Sequence, residues 1–244
     1  MIHSHLSELE SVRLSLKVSG FSIVNGFQNE NEAEDLLKSQ WELAPQYDGN
    51  LINHVKSSKQ YQDLPLSKSK GEIGPHTEGV AYRMPPRYLA LYCVEQAEVG
   101  GNTHLYDGFK VFSALKKEQW DVGINHRFNF KTAGKFSDEQ ENHALKSIIS
   151  EKEDNGTLFN FSSNFFKWGD VNPVDTKKEA SFEDNIQAVI DNILSQCERV
   201  KSKVRIAPNS LLIWDNHRML HGREGYSDPN RYLIRYWLND KIAK

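Results

Sequence analysis

The apolar residues of this chain come in short runs, such as Phe21–Val24, Tyr88–Glu95, Ser210–Trp214 and Arg231–Leu238, each rich in β-branched or aromatic side chains and bounded by Gly, Pro, Asn or Asp. Runs of that length make strands, and none approaches the roughly 20 apolar residues needed to span a bilayer. Helical spacing occurs at both ends. Residues 5–18 carry Leu6, Leu9 and Val12 three apart, and Glu32 to Leu43 also reads as helix. The clearest helix is Ser181 to Lys203, with Phe182, Ile186, Val189, Ile193 and Val200 on one face and Ser181-x-x-Asp184 as a capping box. Phe109 to Lys117 is expected to be helix; Val80 to Tyr82 and Gly123 to Phe130 are expected to be strands. Ala44 to Pro75 reads as a long loop, and 134–180 is too polar to assign. Between the strands 210–214 and 231–238 a Gly-, Asn- and Asp-containing loop is expected. Short strands with helices early and late imply an α+β fold with a β-sandwich or jelly-roll centre.

At 244 residues, with no shift in composition, one domain over 1–244 is expected. A net charge of −3 and a pI near 6.3 give no electrostatic footprint for nucleic acid or an anionic membrane, so a small-molecule partner fits better. Cys93 and Cys197 form no CxxC pair and read as reduced, buried thiols. Met1 to Leu16 lacks the continuous apolar stretch of a signal peptide, so a cytoplasmic location is expected, with the Asn155 and Asn160 glycosylation patterns as chance.

Three segments carry chemistry. His76-Thr-Glu78 places two metal-ligand types two apart, a spacing that shares one face of an extended strand. Nine His and 33 acidic residues give roughly one such triplet by chance, so the pair needs company. In Trp214-Asp-Asn-His217-Arg-Met-Leu-His221-Gly-Arg223 an apolar strand, Leu211 to Trp214, runs into a polar turn with two histidines, where a second strand would deliver a third ligand. Two His and one carboxylate leave open metal sites and suit non-haem Fe(II), although zinc accepts the same ligands. In Arg231-Tyr-Leu-Ile-Arg235-Tyr-Trp-Leu238 neither alternating face is polar, and an arginine in such surroundings calls for an anionic partner, in a protein or a ligand.

Together these segments resemble the TauD/TfdA-type Fe(II)/2-oxoglutarate dioxygenases. Members have a His-x-Asp/Glu pair and a Thr about 27 residues later, after a Gly-Gly-Asp/Asn turn. A distal His follows a Trp-Asp-Asn segment, and an Arg lies about 14 beyond it. Here Gly100-Gly101-Asn102-Thr103 puts Thr103 27 after His76, and Arg235 lies 14 after His221. The resemblance implies a double-stranded β-helix (jelly-roll, cupin-like) core with flanking helices. It implies iron held by His76, Glu78 and His221, with 2-oxoglutarate and O2 as cosubstrates. Arg235 would pair with the far carboxylate of 2-oxoglutarate, Thr103 assisting and Arg231 the second candidate. His217 sits at a poorer offset than His221.

Glu78 is similar to the His-x-Glu of the clavaminate-synthase-like amino-acid oxygenases. It fills the position that is Gly or Ala in related halogenases. The implied reaction is hydroxylation or desaturation of an unactivated C–H in an amino acid or derivative, free or carrier-tethered, with Glu72 and Arg83 as candidate substrate contacts. The alternatives are a zinc-dependent hydrolase and a non-catalytic cupin-like binding module.

Overall fold

The computed structural model describes residues 2–57, 69–131, 143–152, 156–168 and 181–241. Parts of 44–75 and of 134–180 therefore lie outside the described residues, and the described part of 44–75 is not one loop, since it holds strands at Ile52–Lys56 and Ile73–His76.

Two antiparallel sheets pack face to face. The larger runs β1 (Phe21–Asn25), β12 (Ser210–Asp215), β5 (Tyr88–Glu95), β14 (Tyr232–Asp240), with β2 (Trp41–Ala44) and β3 (Ile52–Lys56) sharing the far edge of β14. The smaller runs β11 (Ser202–Val204), β6 (Thr103–Asp107), β13 (Met219–Arg223), β4 (Ile73–His76). Leu91, Trp214, Leu233 and Trp237 from one sheet meet Leu105 and Met219 from the other. Helices cover the outsides. On the larger sheet, α1 (Ile2–Ser19) and α2 (Glu30–Gln40) bring Val12, Leu16, Ala33 and Leu37 onto Tyr92, Leu211, Ile213, Ile234 and Tyr236. On the smaller sheet, α3 (Gly108–Ser113), α4 (Lys117–Asn125), α5 (Ser163–Trp168) and α6 (Asp184–Val200) pack over Tyr106 and Leu220. Two ribbons, β7 (Phe128–Lys131) with β8 (His143–Lys146) and β9 (Ile149–Glu151) with β10 (Thr157–Phe159), complete the described elements.

This layering explains why β14 has no polar face. Leu233, Arg235 and Trp237 alternate into the space between the sheets while Ile234 and Tyr236 alternate onto the helices, so both faces are covered. The same holds for β12, every residue of which is buried.

Other local expectations change. The helix expected over Phe109 to Lys117 is broken into α3 and α4. The second helix stops at Gln40: Trp41–Ala44 pairs with Trp237–Asp240, and this long-range strand pairing overrides helical periodicity. Its start moves to Glu30, because the Asn29 side chain caps the Asn31 and Glu32 N–H groups. Val80–Tyr82 is a turn, closed by the Tyr82 N–H donating to the Gly79 carbonyl, and Gly123 lies in α4 rather than a strand. The late helix begins at Asp184 with Glu183 as N-cap and no side-chain cap, so Ser181 makes no capping box. Of the expected apolar face Ile186, Val189 and Ile193 are buried, joined by Ile190 and Cys197, while Val200 is partly buried and Phe182 lies ahead of the helix. Each Ile or Val there contributes about 1.5–3 kcal/mol.

The expected loop between 214 and 231 contains β13, which lies between β6 and β4. Its Gly222 passes β4 so closely that a Cβ would come 2.5 Å from the Ile73 carbonyl oxygen. A strand that needs glycine for backbone approach does not advertise itself by β propensity.

Candidate metal centre

β4 and β13 run antiparallel with His76 and His221 in register, so the two imidazoles are cross-strand neighbours with ring centroids 4.0 Å apart. His76 Nδ1–H donates to the Gly74 carbonyl at 3.0 Å, which leaves the Nε2 lone pair facing the space between the sheets. β4 ends at His76. Thr77 turns the other way, its hydroxyl donating to the Phe159 carbonyl at 2.6 Å, and Glu78 returns to the side of the histidines. Glu78 Oε2 lies 3.7 Å from His76 Nε2 and 3.6 Å from His221 Nε2.

Those distances are too long for hydrogen bonds and suit three donors sharing one ion, since bonds of about 2.0–2.2 Å allow ligand atoms up to about 4 Å apart. Among the described residues this is the one cluster of three or more His, Cys, Asp or Glu with ligand atoms so close, all within 4.8 Å of one another.

The protonation states also fit. Burial pushes the Glu78 carboxyl up, but Arg235 and the two histidines outweigh it and hold the group well below the usual carboxylate range. Burial, with His76 beside it, pushes His221 down to about 4. A carboxylate and a neutral imidazole are the forms that bind a metal.

Glu78 uses its two oxygens differently. Oε2 faces the histidines, while Oε1 pairs with Arg235 Nη1 at 2.7 Å. Arg235 Nε donates to Gln46 Oε1 at 2.8 Å, and Gln46 Nε2 donates back to the Arg235 carbonyl at 2.9 Å. Tyr47 adjoins this group, accepting the Gly79 N–H at 3.2 Å, with its own hydroxyl pushed well up by burial and by Glu78.

Four residues before Arg235 and just ahead of β14, Arg231 is 1% exposed and has a different environment. Its Nε and Nη2 donate to the Gly101 carbonyl, and Nη1 has no hydrogen-bond partner among the described residues. Gly101, at φ +68°, leaves the room: a Cβ there would come 2.7 Å from Arg231 Nε. Thr103 is buried on β6 directly across from Arg223 of β13, and Arg223 and Arg231 each lie 5.0 Å from the Tyr226 ring.

Of the remaining expected residues, His217 is buried away from the cluster, its Nε2 bonded to the Pro85 carbonyl and its Nδ1 beside Arg87. Glu72 and Arg83 are exposed. The charge of Glu72 acts on His104 and Tyr106. Gln46, Tyr47, Asn216, Arg223 and Tyr226 were not picked out by sequence reasoning. Of these, Asn216 and Arg223 carried a signal, both standing in the Trp214 to Arg223 segment.

Residues 3–237 match the model of the family described as "Taurine catabolism dioxygenase TauD, TfdA family". Among characterised proteins, γ-butyrobetaine dioxygenase from Homo sapiens is 26% identical over 175 residues, 66% of this chain and 42% of that protein. Uridine-5'-phosphate dioxygenase from Amycolatopsis sp is 25% identical over 158 residues, 59% of this chain and 52% of that one. The match thus spans about half or less of these relatives. Among solved structures, an asparagine oxygenase with Fe(II), 2S,3S-3-hydroxyasparagine and succinate superposes with a TM-score of 0.72 at 12% identity, covering 95% of this chain and 79% of that one. The non-heme iron oxygenase OrfP with Fe and alpha-ketoglutaric acid gives 0.70 at 16% identity, covering 96% and 80%. At such identities the likeness establishes the fold, a cupin-like arrangement of antiparallel sheets with helices outside.

Proposed function

This chain belongs to the TauD, TfdA family, and from that premise we propose that residues 1–244 form one Fe(II)- and 2-oxoglutarate-dependent oxygenase domain with a double-stranded β-helix core. Its reaction is hydroxylation or desaturation of an unactivated C–H bond in a small amino-acid-derived metabolite. The observation that carries this is the convergence of His76 Nε2, His221 Nε2 and one oxygen of Glu78 on a single point, with three coordination positions left over. Iron and 2-oxoglutarate, when bound, supply the oxidation, O2 being consumed as 2-oxoglutarate becomes succinate and CO2.

The chain's own residues bind and orient. Thr103 stands two residues along β6 from Leu105, the partner of His221, which at 3.2–3.4 Å per residue displaces it by roughly 7 Å along the strand from the level of that ligand. That offset suits the far carboxylate of a cosubstrate whose other end chelates the metal. Thr103 and Arg231 are our choice for that carboxylate, Arg231 because it is buried with a free Nη1. Arg223 adds positive charge beside them. Arg235, 2.7 Å from Glu78, is the second choice for the cosubstrate. Buried apolar walls, Trp214 and Trp237 among them, keep water from the reacting carbon.

The names of the asparagine and γ-butyrobetaine oxygenases support a free, carboxylate-bearing substrate. A carrier-tethered one would be turned over only when attached. Glu72 and Arg83, both exposed, could serve only at the rim. A raised substrate KM in Glu72→Ala, with uncoupled 2-oxoglutarate turnover intact, would give Glu72 that role. Free, buried Cys93 and Cys197 support a reducing compartment such as the cytoplasm. Among the described residues no helix is long and apolar enough to cross a membrane.

The test is anaerobic titration with Fe(II) and 2-oxoglutarate. The visible charge-transfer band of the chelate is expected, followed on admitting O2 by succinate formation that is absent in Glu78→Ala. Bound metal without the band would overturn the cosubstrate assignment. Turnover without O2 or 2-oxoglutarate would return the zinc hydrolase, and metal binding with no turnover of any kind the silent module.

A further inference from the structure

We infer that Asn216 is the positioning residue for the carboxylate ligand: it holds the backbone of Glu78 so that Oε2 faces the two histidines. The inference rests on the metal site proposed above.

Glu78 lies beyond the end of β4, so no strand ladder pairs its backbone. Asn216 takes the ladder's place. Its Oδ1 accepts the Glu78 N–H at 2.9 Å, and its Nδ2 donates to the Glu78 carbonyl at 3.0 Å and to the Pro86 carbonyl at 2.9 Å. One side-chain amide thus pairs both backbone groups of the ligand residue as a neighbouring strand would. Asn216 is 0% exposed, so water cannot replace these bonds.

The residues on either side fix the same segment. Asp215 Oδ2 accepts from Arg87 Nη2 at 2.7 Å, His217 Nε2 bonds the Pro85 carbonyl at 3.0 Å, and the Asn216 N–H donates to the Arg87 carbonyl at 2.9 Å. The turn that makes these contacts leads directly into β13 and His221. The strand delivering one ligand is therefore tied, through Asn216, to the residue delivering another. Only a carboxamide offers donor and acceptor together at this reach. Aspartate would keep the acceptor for the Glu78 N–H but set an oxygen against two carbonyls.

The experiment measures Fe(II) affinity without O2, and Zn(II) affinity where Fe(II) is too weak, in the full chain, Asn216→Ala, Asn216→Asp, Glu78→Ala and Asn216→Ala/Glu78→Ala. Metal affinity should fall about 10–100-fold in Asn216→Ala, and at least as far in Asn216→Asp. Against Glu78→Ala the second substitution should cost less than about twofold, because the residue it acts through is gone. Unchanged affinity in Asn216→Ala, or an equal loss with and without Glu78, would overturn the inference. Absence of metal binding by the unaltered chain would overturn the metal site itself. Should the Asn216 variants not fold, hydrogen exchange at the Glu78 amide of the unaltered protein decides. Protection comparable to the β13 ladder amides is expected, and exchange at the rate of an open loop would refute the clamp.

Discussion

Removing Glu78 in the metal-free protein should destabilise it, which would be unusual for a metal ligand. Ligand clusters without their ion are commonly a burden on the fold, but here Glu78 also neutralises Arg235 at 2.7 Å, and both side chains are at least nine-tenths buried. In Glu78→Ala the guanidinium keeps its bond to Gln46 and loses the carboxylate it pairs with, leaving only the more distant charge of exposed Asp48. Breaking a buried pair by deleting one partner costs about 3–5 kcal/mol. For a chain of this size each kcal/mol moves the melting point by about 2–4 °C, so a fall of roughly 6–20 °C is expected. The assay is thermal unfolding by circular dichroism after exhaustive chelation. Glu78→Gln, whose amide oxygen still accepts from Nη1, should fall less, and Glu78→Leu/Arg235→Met should recover most of the loss, because an apolar pair needs no counter-charge. A melting point for Glu78→Ala equal to or above the parent's would refute the buried pair. Arg235 would then be free for a carboxylate of the cosubstrate.

Arg231→Ala should raise the 2-oxoglutarate Kd at least tenfold in anaerobic titration while leaving Fe(II) affinity nearly unchanged; the same pattern in Arg235→Ala instead would exchange the two roles. His221→Ala should abolish Fe(II) binding, whereas His217→Gln should retain it within a few-fold, as measured by chelator competition. Burial depresses His217 from 6.5 to about 4, so the folded state binds fewer protons there than the unfolded chain. The stabilisation is full above about pH 6.5 and is lost as pH falls toward 4. Between those values His217→Gln should show a shallower loss of stability with acid than the parent, by close to one proton's slope; identical slopes would mean that His217 is not neutral in the fold.

Much of the site could be read in the sequence because ligand chemistry is a matter of residue type and offset. His76, Glu78 and His221 are the types a non-haem metal needs, and their ligand atoms lie together in the fold, whereas Thr103 and the two arginines were picked out by the intervals of the family resemblance. The apolar character of both faces of Arg231–Leu238 likewise called for an anionic partner to an arginine there, and Arg235 has one in Glu78. Local periodicity failed where tertiary pairing decided: Trp41–Ala44 left its helix to pair with β14, and Met219–Arg223 became a strand despite Gly222. The β13 case matters most, since it is the strand that carries His221.

What the sequence by itself determined, then, is the donor set, its charge and the alternation that points it inward. Only the tertiary structure decided how those donors are held. Arg235 is committed to one oxygen of Glu78, Arg231 is left buried with an open donor, and Asn216 reaches across 138 residues to pair the backbone of Glu78. Each depends on where one sheet meets the other. The physical reason is range: side-chain type and strand alternation are local, whereas the partner of a buried charge or an unladdered amide is whatever the closed fold brings within 3 Å.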